Sequence, residues 1–244
     1  MQPAQMYDSA ATMFSPDGRI YQVEYAREAV KRGTTAVGAI FEKGAVLLVD
    51  KRISSKLIEP ATVEKIFKVD HHMGVASSGL VGDARMLIAR ARGVAANNRV
   101  TYNENIETGV LVKDLSDIMQ SYTQNGGVRP FGAAFIMAGI DPDNSIRLFE
   151  TDPSGAIVQY KATAIGAGRA AAMEWLEENF ESVADENAAV QIGLKALYAS
   201  HDGPANPIVD GRPTLDIAIV TIDGGFRQMT PEDVIAAIET YRSA

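Results

Sequence analysis

Apolar residues recur at two spacings along this chain, and the switches between them divide it into elements. Ile20, Val23, Ala26 and Val30 fall at helical spacing, with Arg19, Gln22, Arg27 and Lys31 elsewhere on the cylinder, which predicts a helix over about 19–32. Tyr21 and Tyr25 sit one turn apart on it and can touch. Ser15-Pro16-Asp17-Gly18 precedes it as a turn, and Gly33 reads as a stop behind Lys31-Arg32. Residues 35–41 and 45–50 are apolar runs joined by Glu42-Lys43-Gly44, a hairpin signal, and 65–69 with 73–77 read as another strand pair. Helical spacing returns at Ala84, Leu87, Ile88, Ala91 and Ala95, and again at Leu115, Ile118, Met119 and Tyr122. Strands over 131–140, 146–149, 157–160 and 162–165 follow, with turn chemistry at Asp141-Pro142-Asp143-Asn144 and Asp152-Pro153-Ser154-Gly155. Helices over 169–180 and 187–199 come next, then a hairpin of 215–222 and 226–229 around Asp223-Gly224-Gly225. Thr230-Pro231-Glu232-Asp233 opens a last helix with Val234, Ile238 and Tyr241 facing inward. Residues 1–13 show no periodicity and read as a tail.

Strands in blocks joined by tight turns pair antiparallel. The runs 46–49 and 217–220 are apolar at every position, so both their faces must be covered. Helices arrive in pairs between the strand blocks. Two sheets packed face to face, with helix pairs on the outer faces, satisfy both demands. The expectation is an α+β fold forming one domain over residues 14–244, with no linker and no solenoid repeat.

Composition removes several classes of function. The chain has no cysteine, which excludes disulfides, thiolate catalysis and thiolate metal sites. Its net charge of −8, with no basic patch or tail, argues against a nucleic-acid partner. It shows neither a secretory leader nor an apolar run of membrane-spanning length. The expectation is therefore a cytoplasmic protein without a membrane partner.

The sharpest chemistry is Gly33-Thr34-Thr35 with Asp50 and Lys65. A threonine with a free amino group can use that amine as the general base for its own hydroxyl. A nearby lysine lowers the nucleophile's pKa, and a carboxylate keeps that lysine charged. This requires cleavage after Gly33, because an amide nitrogen is not a base. The competing reading is that Thr34 opens a strand, Asp50 ends one and Lys65 is a solvated edge residue; spacing alone favours it. Gly166-Ala167-Gly168-Arg169-Ala170-Ala171 imitates a dinucleotide loop, but a second helix follows where a parallel strand is needed, so close helix–strand packing is expected. His71 and His72, as neighbours on a strand, would face opposite ways and not share a metal. Glu174, Glu177, Glu178 and Glu181 read as a solvated helix face. No cofactor or metal is expected.

The run 14–33, above all Ser-Pro-Asp-Gly-Arg-Ile-Tyr-Gln-Val-Glu-Tyr-Ala, resembles the signature of 20S proteasome α subunits of the archaeal type. The resemblance continues through 78–85, Gly127-Val128-Arg129-Pro130-Phe131-Gly132, Asp152-Pro153-Ser154-Gly155 and 160–166, and so covers most of the chain. It implies a four-layer αββα sandwich, the N-terminal-nucleophile hydrolase fold, with an extra N-terminal helix. It also implies a seven-membered ring of α subunits stacked on proteolytic β subunits, which gates the entry of unfolded proteins and docks a hexameric activator ATPase. Thr34, Asp50 and Lys65 then align with the catalytic threonine, aspartate and lysine of β subunits. The departures point to a non-catalytic subunit, with a self-processing threonine protease as the alternative. A well-formed helix precedes Thr34, Arg169 stands where β subunits carry a catalytic serine, and Arg212-Pro213-Thr214-Leu215-Asp216 replaces their Ser-Gly-Gly.

By the same resemblance residues 1–13 form a gating tail. Tyr7 and Asp8 match its pore-closing motif, and Pro16 and Tyr25 match residues that support the open gate. Ser9 stands where archaeal relatives usually carry arginine, which removes a cation from the motif. Lys65 resembles the lysine that receives an activator's C-terminal carboxylate, with Gly79 and Leu80 lining the pocket. Asn125-Gly126-Gly127 matches the loop that narrows the axial channel, where the family often has an aromatic in place of Asn125.

Overall fold

A computed structural model describes residues 12–53, 55, 57–59, 62–181, 183–199 and 207–243. Helix α1 (Tyr21–Lys31) leads into β1 (Ala36–Phe41) and β2 (Gly44–Asp50), then β3 (Ile66–Asp70) and β4 (Met73–Gly79). Helices α2 (Val81–Tyr102) and α3 (Thr108–Gln124) precede β5 (Ala133–Ile140), β6 (Ile146–Thr151), β7 (Ile157–Gln159) and β8 (Ala162–Ile165). After α4 (Arg169–Asn179) and α5 (Glu186–Ala199) come β9 (Ile208–Val209), β10 (Arg212–Pro213), β11 (Leu215–Thr221), β12 (Gly225–Gln228) and α6 (Pro231–Ser243).

The strands form two five-stranded sheets, β12-β11-β2-β1-β8 and β3-β4-β5-β6-β7, every pairing antiparallel. Strand alternation then builds the layers. In β2, Ala45, Leu47 and Val49 point between the sheets, where they meet Ala76, Ala134, Ile136, Ala138 and Leu148. Val46 and Leu48 point the other way, under Leu176 of α4, Leu194 and Leu197 of α5, and Val234 and Ile238 of α6. On the far side, Val75, Phe135 and Met137 lie under Leu87 and Ile88 of α2 and Leu111, Leu115 and Met119 of α3. The result is the expected four-layer αββα sandwich, with α1 set across one end and its Val30 joining the core between the sheets.

Most predicted boundaries agree to within a residue or two. Thr230 caps α6 as expected, its Oγ1 accepting the Asp233 N–H at 3.2 Å. Gly44 lies in β2, so the first hairpin turns on Glu42-Lys43 alone. The short β9–β10 hairpin was not predicted; two-residue strands carry no readable period. Gly33 is not a left-handed helix stop. A Cβ there would collide with the Gly79 nitrogen and Ser78 Oγ, so close approach to β4 is what demands glycine. His71 and His72 do not alternate along a strand: β3 ends at Asp70 and β4 starts at Met73, so both lie in the turn with ring centroids 5.1 Å apart. The four glutamates of the α4 region are exposed. Among the described residues, no helix is long and apolar enough to cross a membrane.

Candidate functional site

The candidate site is built where the chain passes from α1 into β1. The Gly33 N–H donates to the Val30 carbonyl at 2.9 Å and ends the helix. Ser78 Oγ, at the end of β4, lies 2.8 Å from the Thr34 carbonyl oxygen and 3.3 Å from that of Val30. From the opposite side, the Ala167 N–H donates to the Gly33 carbonyl at 3.0 Å and the Gly168 N–H to Thr35 Oγ1 at 2.9 Å. The Gly166–Ala171 segment is thus committed to packing, with Gly166 seated against the Thr34 carbonyl. Residues 33–35 are clamped between the end of β4 and the start of α4.

Asp50 lies beside this clamp. Its N–H donates to the Thr35 carbonyl at 3.0 Å, and its Oδ1 accepts the Arg52 N–H at 2.9 Å. Asp50 and Lys65 interact electrostatically, and both are buried. Burial pushes Asp50 up against the pull of Arg52 and Lys65, and pushes Lys65 down against the pull of Asp50, so each is drawn towards its neutral form. Lys65 is therefore no solvated edge residue, although it adjoins the edge strand β3. Thr34 is 7% exposed, and its Oγ1 has no hydrogen-bond partner among the described residues. Of the three residues that the spacing singled out, Asp50 interacts with Lys65, and its N–H bonds the residue after Thr34.

The neighbouring positions are engaged elsewhere. Arg169 binds Glu150 Oε2 at 2.7 Å and the Ala164 carbonyl. Leu215 pairs with Asp50, and Thr214 accepts the Lys51 N–H at 2.9 Å. Lys51 Nζ reaches Asp216 Oδ1 at 2.8 Å in a nearly buried ion pair. The 212–216 segment thus packs against the end of β2 with a structural ion pair.

Lys65 pairs with the strand that leads to Gly79 and Leu80. The Lys65 carbonyl accepts the Ser77 N–H at 3.0 Å, two residues before Gly79. Gly79 has φ +101°, a conformation that other residues resist, and the chain bends there so that the Leu80 N–H donates to the Gly132 carbonyl at 2.8 Å. Leu80 keeps 46% of its surface exposed, a large share for an apolar side chain.

Tyr7, Asp8 and Ser9 lie outside the described residues. Pro16 stands exposed in a turn closed by Gly18 N–H to Ser15 carbonyl at 2.9 Å. Tyr25 is 48% exposed and stacks on Tyr21 at 6.4 Å. Asn125, Gly126 and Gly127 are exposed after α3, and Asn125 Nδ2 donates to the Ser121 carbonyl at 2.7 Å, tying off the helix end.

Two sets of tertiary partners escaped the sequence reading. Arg27 of α1 donates through Nε to Asp152 Oδ2 at 2.8 Å and through Nη1 to Glu24 Oε1 at 2.8 Å. Burial would raise the Asp152 carboxyl, but the Ser154 and Arg27 hydrogen bonds outweigh it and hold the group below its ordinary value. Ser116 Oγ of α3 donates to the Gly155 carbonyl at 2.6 Å, so the 152–155 turn is wedged between α1 and α3. Arg129 grips Asp83 with two bonds of 2.6 and 2.9 Å, and Asp83 also accepts the Gly132 N–H at 2.8 Å. The Arg129 guanidinium holds the Asp83 carboxyl below its ordinary value, with the Gly132 N–H assisting and burial opposing. Both sets join segments already conspicuous as motifs; the sequence showed that they matter without showing that they meet.

Residues 30–207 match the family model described as proteasome subunit, and residues 7–29 match the N-terminal signature of α-type proteasome subunits. The chain is 53% identical over 244 residues to the proteasome alpha subunit of Methanoculleus marisnigri, covering 99% of both chains. It is 55% identical over 242 residues to that of Methanosphaerula palustris, covering 98% of both. Against that of Methanoregula boonei it is 54% identical over 245 residues, with 99% of this chain and all of the relative covered.

Proposed function

The chain belongs to the proteasome subunit family as one of its α-type subunits, and from that premise we propose that it is a non-catalytic gate and scaffold. It assembles with other α subunits into a seven-membered ring, stacks on proteolytic β subunits, and admits unfolded proteins through an axial gate. Tyr7 and Asp8 close that gate, Pro16 and Tyr25 support its open form, and Asn125, Gly126 and Gly127 line the channel. A hexameric ATPase docks by a C-terminal carboxylate at Lys65, beside Gly79 and Leu80, in the cytoplasm.

The observation that carries the non-catalytic reading is the embedding of the peptide before Thr34. α1 is tied to the 152–155 turn by Arg27, Val30 is in the core, and the Gly33 and Thr34 carbonyls are each hydrogen-bonded. A nitrogen held this way in an amide supplies no base for the Thr34 hydroxyl. The self-processing reading rests on Thr34 Oγ1, which has no hydrogen-bond partner among the described residues. Intact mass separates the two: the full chain should persist in purified particles and resist a threonine-directed covalent inhibitor. A fragment starting at Thr34 that takes the label would overturn the proposal. Lys65→Ala should keep the ring and lose gate opening by an ATPase tail peptide; unchanged opening would remove Lys65 from the docking role.

A further inference from the structure

The end of β3 and the turn into β4 place three side chains of metal-ligating type together, apart from Thr34, Asp50 and Lys65. A register shift between Lys68 and Asp70 interrupts the last residues of β3, and such shifts re-aim side chains. The turn is held from both sheets: the His72 carbonyl accepts the Ile140 N–H of β5 at 3.0 Å, and the His71 carbonyl accepts the Phe226 N–H of β12 at 2.6 Å. Such a turn presents its side chains on a fixed frame.

The hydrogen bonds assign the lone pairs. His72 is 4% exposed, and its Nε2 lies 3.0 Å from the Ile106 carbonyl oxygen. A carbonyl only accepts, so Nε2 carries the hydrogen and Nδ1 of the neutral ring carries the lone pair. That Nδ1 is buried and has no hydrogen-bond partner among the described residues. A backbone carbonyl fixing the remote nitrogen is also the usual support of a metal-binding imidazole. His71 Nδ1 lies 3.1 Å from Asp70 Oδ1, which places its hydrogen there and leaves Nε2 to accept from Asn105 Nδ2 at 3.2 Å. The His71 N–H, His71 Nδ1 and Arg99 Nη1 all donate to the same oxygen of Asp70, Oδ1. One ligand atom from each of Asp70, His71 and His72 lies within 4.8 Å of the other two. A cavity of about 370 Å³, lined by both histidines, Asn105, Asp141 and the 221–226 hairpin, adjoins them with room for solvent.

We propose that Asp70, His71 and His72 bind one divalent cation of the zinc class, with solvent from the adjoining cavity completing its shell. Two imidazoles and a carboxylate with a fourth position open to water is a donor set that zinc accepts. Arg99, half-exposed and 2.6 Å from Asp70, is the competing cation. It neutralises the carboxylate when the ion is absent and swings to solvent when the ion binds.

The test is titration of the purified full-length chain with Zn²⁺ alone, followed by calorimetry, and with Co²⁺ alone, followed by visible absorption. One ion per chain is expected, with Co²⁺ giving the bands of a four-coordinate site. His71→Ala, at a half-exposed ring, should fold normally and bind more weakly by over about 10-fold, the lower bound set by losing even an outer partner. Arg99→Gln should tighten binding by removing the competitor. No binding to the native chain, or equal affinity in His71→Ala, would overturn the proposal, since an ion at the remaining histidine or the N-terminus survives that substitution. Weaker binding in Arg99→Gln would remove Asp70 from the ligand set.

Discussion

Arg27 illustrates how much a single side chain decides here. On a helical wheel it is a solvent-facing cation, yet it fastens α1 to Asp152 and Glu24. Its side chain is 40% exposed, so the loss in Arg27→Met should be about 1 kcal/mol, between the values for screened and desolvated charge pairs. Hydrogen exchange over 21–31 should quicken by about fivefold for that loss; unchanged protection would mean that the apolar stripe alone docks the helix. Asp83 gives a pH prediction. Its carboxyl is held below the ordinary 3.8, so its contribution to stability is complete above pH 3.8 and is lost as pH falls through the lower folded value. Denaturation of native chain and Asp83→Asn should differ at neutral pH and converge below pH 3.8; a constant gap would refute the linkage. Legibility at this scale was uneven. Asp50 and Lys65 were singled out from spacing and do interact, and antiparallel pairing puts Asp50 beside Thr35, next to Thr34. The burial of Lys65 and the meeting of His71 with His72 were misread, since both depend on where β3 begins and ends.

The helices were legible because each carries one apolar stripe. In α3, Leu115 and Met119 of the stripe read from the sequence are buried, Ile118 and Tyr122 are partly buried, and Leu111 extends the buried face by a turn. Leu115 is 1% exposed, so Leu115→Ala should cost about 2–5 kcal/mol, measured by chemical denaturation. A loss below about 1 kcal/mol would show that the α2–α3 layer collapses around the gap. The support at α3's start was not legible. No side chain of the helix caps it; Asp141, from the loop after β5, accepts both the Thr108 N–H and its hydroxyl at 2.7 Å. A cap supplied from 33 residues away leaves no local signal. The same is true of the 152–155 turn, which reads as a loop and serves as the wedge between α1 and α3.

For the molecule as a whole, the proposal predicts that deleting residues 2–12 speeds peptide entry into the assembled particle, measured by hydrolysis at the β subunits; an unchanged rate would deny the tail its gating role. Helices α1 to α6, the strands of the two large sheets, their antiparallel pairing and the two-faced burial of β2 and β11 were determined by the sequence itself, whereas the two-residue strands β9 and β10 were not. Those features depend on local periodicity and turn chemistry, which act over a few residues. The tertiary structure alone decided that β2 lies between β11 and β1, with Leu215 opposite Asp50. It alone joined Asp83 to Arg129 and Arg27 to Asp152, and opened a cavity against His71 and His72. These outcomes depend on which distant strands pair and in what register, and the burial that selects that register is shared across both sheets and four layers at once.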